Sequence, residues 1–180
     1  RGGLMHLQAA EFIYETNLFP DIEYTFKHAL THEVAYGSLL KDQKRALHQS
    51  VTEAMERLYP DRLTEQIERL AHHAFRGGLW EKASKYLRQA GLKTLGRAGI
   101  REAISYFEQG LTALKHLPEM SETREQAIDL YLDLRVAFFL LGELENVHRT
   151  LREAEAIAQN LGDRRRLGHI SVSLGHYFWT

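Results

Sequence analysis

The sequence predicts an all-α chain: a series of antiparallel helical hairpins with one small β-hairpin near its start. Three observations carry this. From Leu30 onward, apolar residues recur at three- and four-residue spacing, and glycine or proline closes almost every such run. Ahead of it, Tyr24–His28 alternates with a period of two, with Tyr24, Phe26 and His28 on one face and Thr25 and Lys27 on the other. The second half also repeats its own pattern of small and large residues.

The elements follow in order. Leu4–Glu11 reads as a short helix with Leu4, Leu7 and Ala10 on one side. Phe12–Thr16 has strand character, with Phe12 and Tyr14 on one face, and residues 17–21 (N-L-F-P-D) form a turn. Glu23–His28 is the returning strand. Two helices follow, Leu30–Leu40 and Gln43–Leu58, the second striped by Leu47, Val51, Ala54, Met55 and Leu58. Tyr59-Pro60-Asp61 stops it, because proline cannot continue a helix and disfavours α geometry in the residue before it. A domain boundary is placed there, giving domains 1–60 and 61–180. Beyond it, Thr64 is expected to cap a helix over Glu65–Arg76 that ends at Gly77-Gly78. Leu79–Arg97 ends at Ala98-Gly99, and Ile100–Leu117 at Pro118. Ser121 is expected to cap Glu122–Leu141, and Gly142 makes the next turn. Leu144–Leu161 ends at Gly162, where Asp163 can cap a last helix. Short links make sequential helices pack antiparallel.

Composition narrows the function. The chain has 180 residues, 44% hydrophobic and 26% charged, which is ordinary for a folded protein. A net charge of -1 argues against a broad nucleic-acid or membrane surface. There are no cysteines, which removes disulfides and thiolate metal sites and fits a cytoplasmic location. No apolar run approaches the ~20 residues of a membrane span. The chain begins with Arg1 and ends on Tyr177-Phe178-Trp179-Thr180, so it reads as a piece of a larger protein.

Gly78–Ala90 (G-L-W-E-K-A-S-K-Y-L-R-Q-A) matches Gly99–Gly110 (G-I-R-E-A-I-S-Y-F-E-Q-G), aligning Ala83 with Ala103, Tyr86 with Tyr106 and Leu87 with Phe107. Gly142–Val147 opens a third such helix, followed by Leu151 and Ala154. A small residue lets the partner helix approach and the aromatic after it fills the gap. This pattern resembles the tetratricopeptide repeat, and implies an α-solenoid with a surface for a protein or peptide partner. The separation of Ala83 from Ala103 is shorter than that family's ~34-residue period. Either one helix is shared between adjoining hairpins or the array is degenerate.

Leu7–Glu15, Glu23–Leu40 and Arg45–His48 carry a second resemblance. They look like the end of the ATPase module in large bacterial proteins that join a class III adenylate or guanylate cyclase, or a protein kinase, to a STAND-type ATPase and tetratricopeptide repeats. The resemblance implies that the first sixty residues are a winged-helix remnant whose wing is the β-hairpin. It also implies that the parent is an ATP-driven signalling switch. The chain itself has no G-x-x-x-x-G-K-[ST] phosphate loop and no cyclase residues, so no catalytic residues and no cofactor of its own are expected. ATP and ADP belong to the parent.

By the same resemblance, His28 in Tyr24-Thr25-Phe26-Lys27-His28-Ala29-Leu30 takes the place of a strand-end histidine that contacts the ADP β-phosphate. Its plainer role is to hydrogen-bond backbone and close the sheet. Ala29 departs from the Asp of many relatives. His28, His32 and Glu33 suggest a zinc site only superficially, since Tyr36 replaces the second histidine of H-E-x-x-H, and no metal ligand is assigned. In His72-His73 one ring is expected to be packed and the other solvated. A winged-helix DNA-binding regulator is the competing reading, weakened because Leu4–Glu11 has no Lys or Arg. The function expected is non-catalytic: protein–protein interaction and regulatory relay within a nucleotide cyclase, or alternatively a signalling kinase.

Overall fold

The computed structural model describes residues 2–17 and 22–177. The protein is all-α with a small two-stranded antiparallel sheet, as its periodicity predicts. The described residues form α1 (Gly2–Ala9), β1 (Ile13–Asn17), β2 (Glu23–Phe26), α2 (Ala29–Gly37), α3 (Lys41–Leu58), α4 (Ile67–Arg76) and α5 (Trp80–Leu95). They continue with α6 (Ile100–Leu114), α7 (Ser121–Leu140), α8 (Leu144–Leu161) and α9 (Arg164–Tyr177). Most of the expected turn at 17–21 lies outside the described residues.

Two compact units divide at Arg45/Ala46, in the first turns of α3. In the first, β1 pairs with β2 in the register Ile13↔Phe26, Tyr14↔Thr25 and Glu15↔Tyr24. Among the described residues of this hairpin Ile13 is buried, whereas Phe12 and Tyr14, expected to share one face, are both exposed. All of β2 is exposed.

In the second unit, extensive packing joins consecutive helices from α4 to α9. The internal repeat appears as burial at the same four helix positions. Counted from each helix start, they hold Ala83, Leu87, Ala90 and Thr94 in α5, and Ala103, Phe107, Gly110 and Leu114 in α6. In α8 they hold Val147, Leu151, Ala154 and Ala158. This 4-3-4 spacing keeps one stripe facing the core. Ala83 and Ala103 therefore lie on consecutive helices, and their short separation is the step from one helix to the next. The smallest residues of these helices admit large neighbours. A Cβ added to Gly91 would lie 2.3 Å from Cε1 of Phe107, which is fully buried.

Four of the interhelical turns share one backbone solution. At the ends of α4, α5, α7 and α8, Gly78, Ala98, Gly142 and Gly162 take the left-handed conformation, with φ of 67°, 61°, 72° and 67°. The next residue, Leu79, Gly99, Glu143 or Asp163, donates its N–H back to the carbonyl of Ala74, Thr94, Phe138 or Ala158. This is the Schellman closure, which satisfies the last carbonyls of a helix and reverses the chain in two residues. The α6–α7 link, carrying Pro118, is not closed this way.

Of the four, only Ala98 places a side chain in that conformation, at a cost of ~1–2 kcal/mol for an L-residue. Ala98→Gly is expected to raise stability by about 1 kcal/mol, read as a higher urea midpoint with unchanged m-value. The neighbouring glycine is needed for space instead, since a Cβ on Gly99 would come within 2.7 Å of Thr94 Cγ2.

Two expected caps are corrected. Thr64 does not cap α4, because residues 63–66 form turns and the helix begins at Ile67 behind Gln66. The Thr64 carbonyl instead accepts from Lys93 Nζ at 2.9 Å. Ser121 is the first residue of α7, behind an extended Met120, and not its cap. Asp163 behaves as expected, its Oδ1 accepting the Arg166 N–H at 3.0 Å.

Candidate functional site

His28 sits between β2 and α2 with extended backbone (φ -129°, ψ 130°). Its carbonyl accepts from the Thr31 and His32 amides, while its side chain makes no cap hydrogen bond and is exposed. Beyond it, His32 meets Phe26 edge-on at 5.4 Å and stacks on Tyr36 at 5.9 Å. β2 ends at Phe26, so His28 stands two residues past the strand, in the bend before α2, and not on a strand running to His28 as the sequence places it.

The second unit presents a face built from alternate helices. α5, α7 and α9 begin at Trp80, Ser121 and Arg164, so the hairpin step is 41 and then 43 positions (80 to 121, 121 to 164). Arg88 on α5 donates from Nε to Asp133 Oδ2 at 2.6 Å and from Nη1 to Asp129 Oδ2 at 2.9 Å, both on α7. Asp129 Oδ1 lies 3.5 Å from Arg166 Nη2 on α9, and Arg166 also reaches Glu125 at 3.3 Å and Asp163 at 2.9 Å. This ladder ties three helices that are not consecutive in the chain. Burial pushes the Asp133 carboxyl above its ordinary range despite Arg88, and repulsion from Asp129 adds to the rise. Burial works against the Arg88 charge too, but the two carboxylates raise its pKa overall. The charges of Arg88, Asp129, Asp133 and Arg166 are thus paired with one another across α5, α7 and α9.

Between α6, α7 and α8 runs a mainly apolar groove of about 410 Å³, floored by Leu111, Leu117, Ala127, Tyr131 and Ile157, with Lys115 and Arg124 also lining it. Trp80 and the Tyr86/Tyr106 pair pack partly buried against the α4–α5 core, the packing role read from the sequence. Trp80 also stacks on His116 with ring centroids 3.9 Å apart.

Glu56 links α3 to α5. Its Oε2 accepts from Lys82 Nζ at 2.7 Å, and its Oε1 from the Tyr86 hydroxyl. Partial burial opposes its charge, but these two donors hold the pKa below the ordinary 4.5. A depressed carboxylate contributes stability that is complete above its unfolded pKa and is lost as pH falls through its folded one. Glu56→Gln is therefore expected to lower the urea midpoint at pH 7. The gap to the unsubstituted protein should close as pH is taken below about 4.5. A gap independent of pH would mean the carboxylate charge is not what matters.

Three histidines come together that the sequence leaves apart. His48 on α3 is buried, with Nδ1 at 2.8 Å from Nδ1 of His73 on α4. His72 completes the group, and one ring nitrogen from each of the three lies within 4.8 Å of the others. His73 is half-buried and His72 exposed, the split expected of adjacent helix positions. Burial lowers all three pKa values. That of His73 falls to about 4, with further help from His48, His72 and Arg69. The His73 ring is therefore neutral at pH 7. The convergence had no sequence signal, because His48 and His73 are 25 positions apart on different helices.

No known family model matches the chain, and no solved structure does. A protein of Rhizobium meliloti (strain 1021), described only as uncharacterized, is 28% identical over 161 residues, covering 84% of this chain. The chain spans 16% of that protein's length.

Proposed function

We propose that this chain is a regulatory relay segment: a tetratricopeptide-type solenoid that binds a protein or peptide partner, joined to the winged-helix end of a STAND-type ATPase module. Its setting is a larger cytoplasmic signalling protein, a nucleotide cyclase in our reading. The observation that carries the solenoid is the repeated burial stripe of α5, α6 and α8, combined with the ion-pair ladder across α5, α7 and α9. In a stack of hairpins the first helices lie side by side and their outward residues make one continuous surface. The hairpin step of 41 and 43 positions is longer than the ~34 of the tetratricopeptide family, so this reading takes the repeats as divergent from that pattern. The small share of the Rhizobium protein that the chain spans supports a segment working inside a much longer polypeptide.

His28 is the residue that would join the segment to nucleotide. An imidazole just beyond a strand, exposed and with its side chain making no cap hydrogen bond, can donate to an ADP phosphate oxygen. A hydrogen bond to a charged group is worth ~1.5–3 kcal/mol, which changes a ratio of states tenfold or more. In the longer protein, His28→Ala is expected to speed ADP release by about that factor and to raise basal output, with melting of the 180-residue chain unchanged. An unchanged ADP off-rate overturns the nucleotide role. Loss of melting temperature without gain of output assigns His28 to closing the sheet.

A further inference from the structure

The geometry points to a metal site: His48, His72 and His73 bind one divalent transition ion of the zinc class through their ring nitrogens. Nothing in the nucleotide-switch reading requires it, and it would stand if that reading fell.

Three imidazoles converge from two helices, with one nitrogen of each within 4.8 Å of the others. A tetrahedral ion holding nitrogens at ~2.0–2.1 Å sets them roughly 3.3 Å apart. The His48–His73 Nδ1 pair, at 2.8 Å, is already closer than that, and the remaining adjustment is within the reach of side-chain rotation. Ring centroids of 5.0, 5.2 and 5.6 Å show that no side chain intervenes between the rings. The backbone beneath them is fixed. Gln49, next to His48, donates from Nε2 to the Gly77 carbonyl at 2.8 Å, and a Cβ on Gly77 would meet Gln49 at 3.1 Å. α3 and the end of α4 are thus held at one spacing, which presets the ligands.

The donor set selects the ion. Three neutral nitrogens with no thiolate suit zinc, nickel or copper(II) over calcium or magnesium, which take oxygen. Among the described residues no carboxylate joins the cluster, so a fourth position falls to water, as in the open three-histidine sites of zinc proteins. Arg69 and Arg76 stand near the cluster and oppose an incoming cation, so the bonds must outweigh that repulsion.

The test uses the untagged 180-residue chain after chelator treatment, titrated with Zn²⁺ by calorimetry and with Co²⁺ by visible absorption. The expected result is one ion per chain with Kd at or below ~10 µM, a four-coordinate Co²⁺ spectrum and a Zn²⁺-dependent rise in melting temperature. His48 is buried, and its replacement would disturb folding as well as ligation. The deciding variant is therefore His72→Ala, on the exposed side of the cluster. It is expected to keep the metal-free melting temperature and to bind at least ~100-fold more weakly. His148→Ala, away from the cluster, should bind like the unsubstituted chain. Failure to bind at ~100 µM Zn²⁺, or full affinity in His72→Ala, overturns the site.

Discussion

Phe107→Ala is expected to cost ~3–5 kcal/mol, which would rank its ring among the largest single contributors to this core. Phe107 is fully buried in the α6–α9 core, with its ring also lying on Gly91 of α5. Truncation therefore removes transfer energy and leaves a cavity between two helices whose backbones cannot follow. Equilibrium urea unfolding measures it. Should the alanine variant not fold, Phe107→Leu, which keeps most of the volume, is expected to lose about 1–2 kcal/mol and remain measurable. A loss below about 1 kcal/mol for Phe107→Ala would mean the ring is not the keystone of this crossing.

Gly91→Ala carries the next largest effect and approaches the same contact from the other side. The added methyl would sit 2.3, 2.7 and 2.9 Å from three Phe107 ring atoms, too near for any small rotation to relieve. The ring must move, or α5 and α6 must part. Overpacking of this kind costs ~1–3 kcal/mol. In a double-mutant cycle, adding Phe107→Leu to Gly91→Ala should recover part of the loss, since the smaller side chain vacates the space the methyl needs. Strict additivity would show that the two residues do not share that space. Gly142 behaves differently: a Cβ there meets nothing within 4 Å, so substitution is penalised through its φ of 72° alone.

How much of this could be read from the chain depends on the range over which the cause acts. α8 lies over the expected Leu144–Leu161 because Gly142 and Gly162 bracket it with left-handed turns, a cause local to each end. The alignment of Ala83 with Ala103 and Leu87 with Phe107 was legible for the same reason, since a burial stripe is written in consecutive turns of one helix. Caps were less legible: Thr64 and Ser121 have the right chemistry, but the turns before α4 and the extended Met120 moved both helix starts. That Phe12 and Tyr14 share a strand face was legible from the period of two, but that Ile13 on the opposite face is the one buried was not, because alternation alone does not say which face turns inward. Of the candidate site, His28 was legible as a residue near the handover from strand to helix, though β2 stops at Phe26 and His28 precedes α2. The Arg88–Asp129–Arg166 ladder and the meeting of His48 with His73 were not. Each joins helices through space with no fixed spacing in sequence.

The shared turn has a consequence for how such a chain could change over generations. Each Schellman closure is self-contained, drawing its hydrogen bonds from the helix it ends and needing only one residue tolerant of positive φ. Extensive packing runs from each helix to the next. The α6–α7 pair, bounded by such turns at Ala98 and Gly142, is therefore a module that duplication or excision could add or drop in one event. What would not survive such an edit unchanged is the charge ladder, which joins Arg88 of α5, Asp129 of α7 and Arg166 of α9.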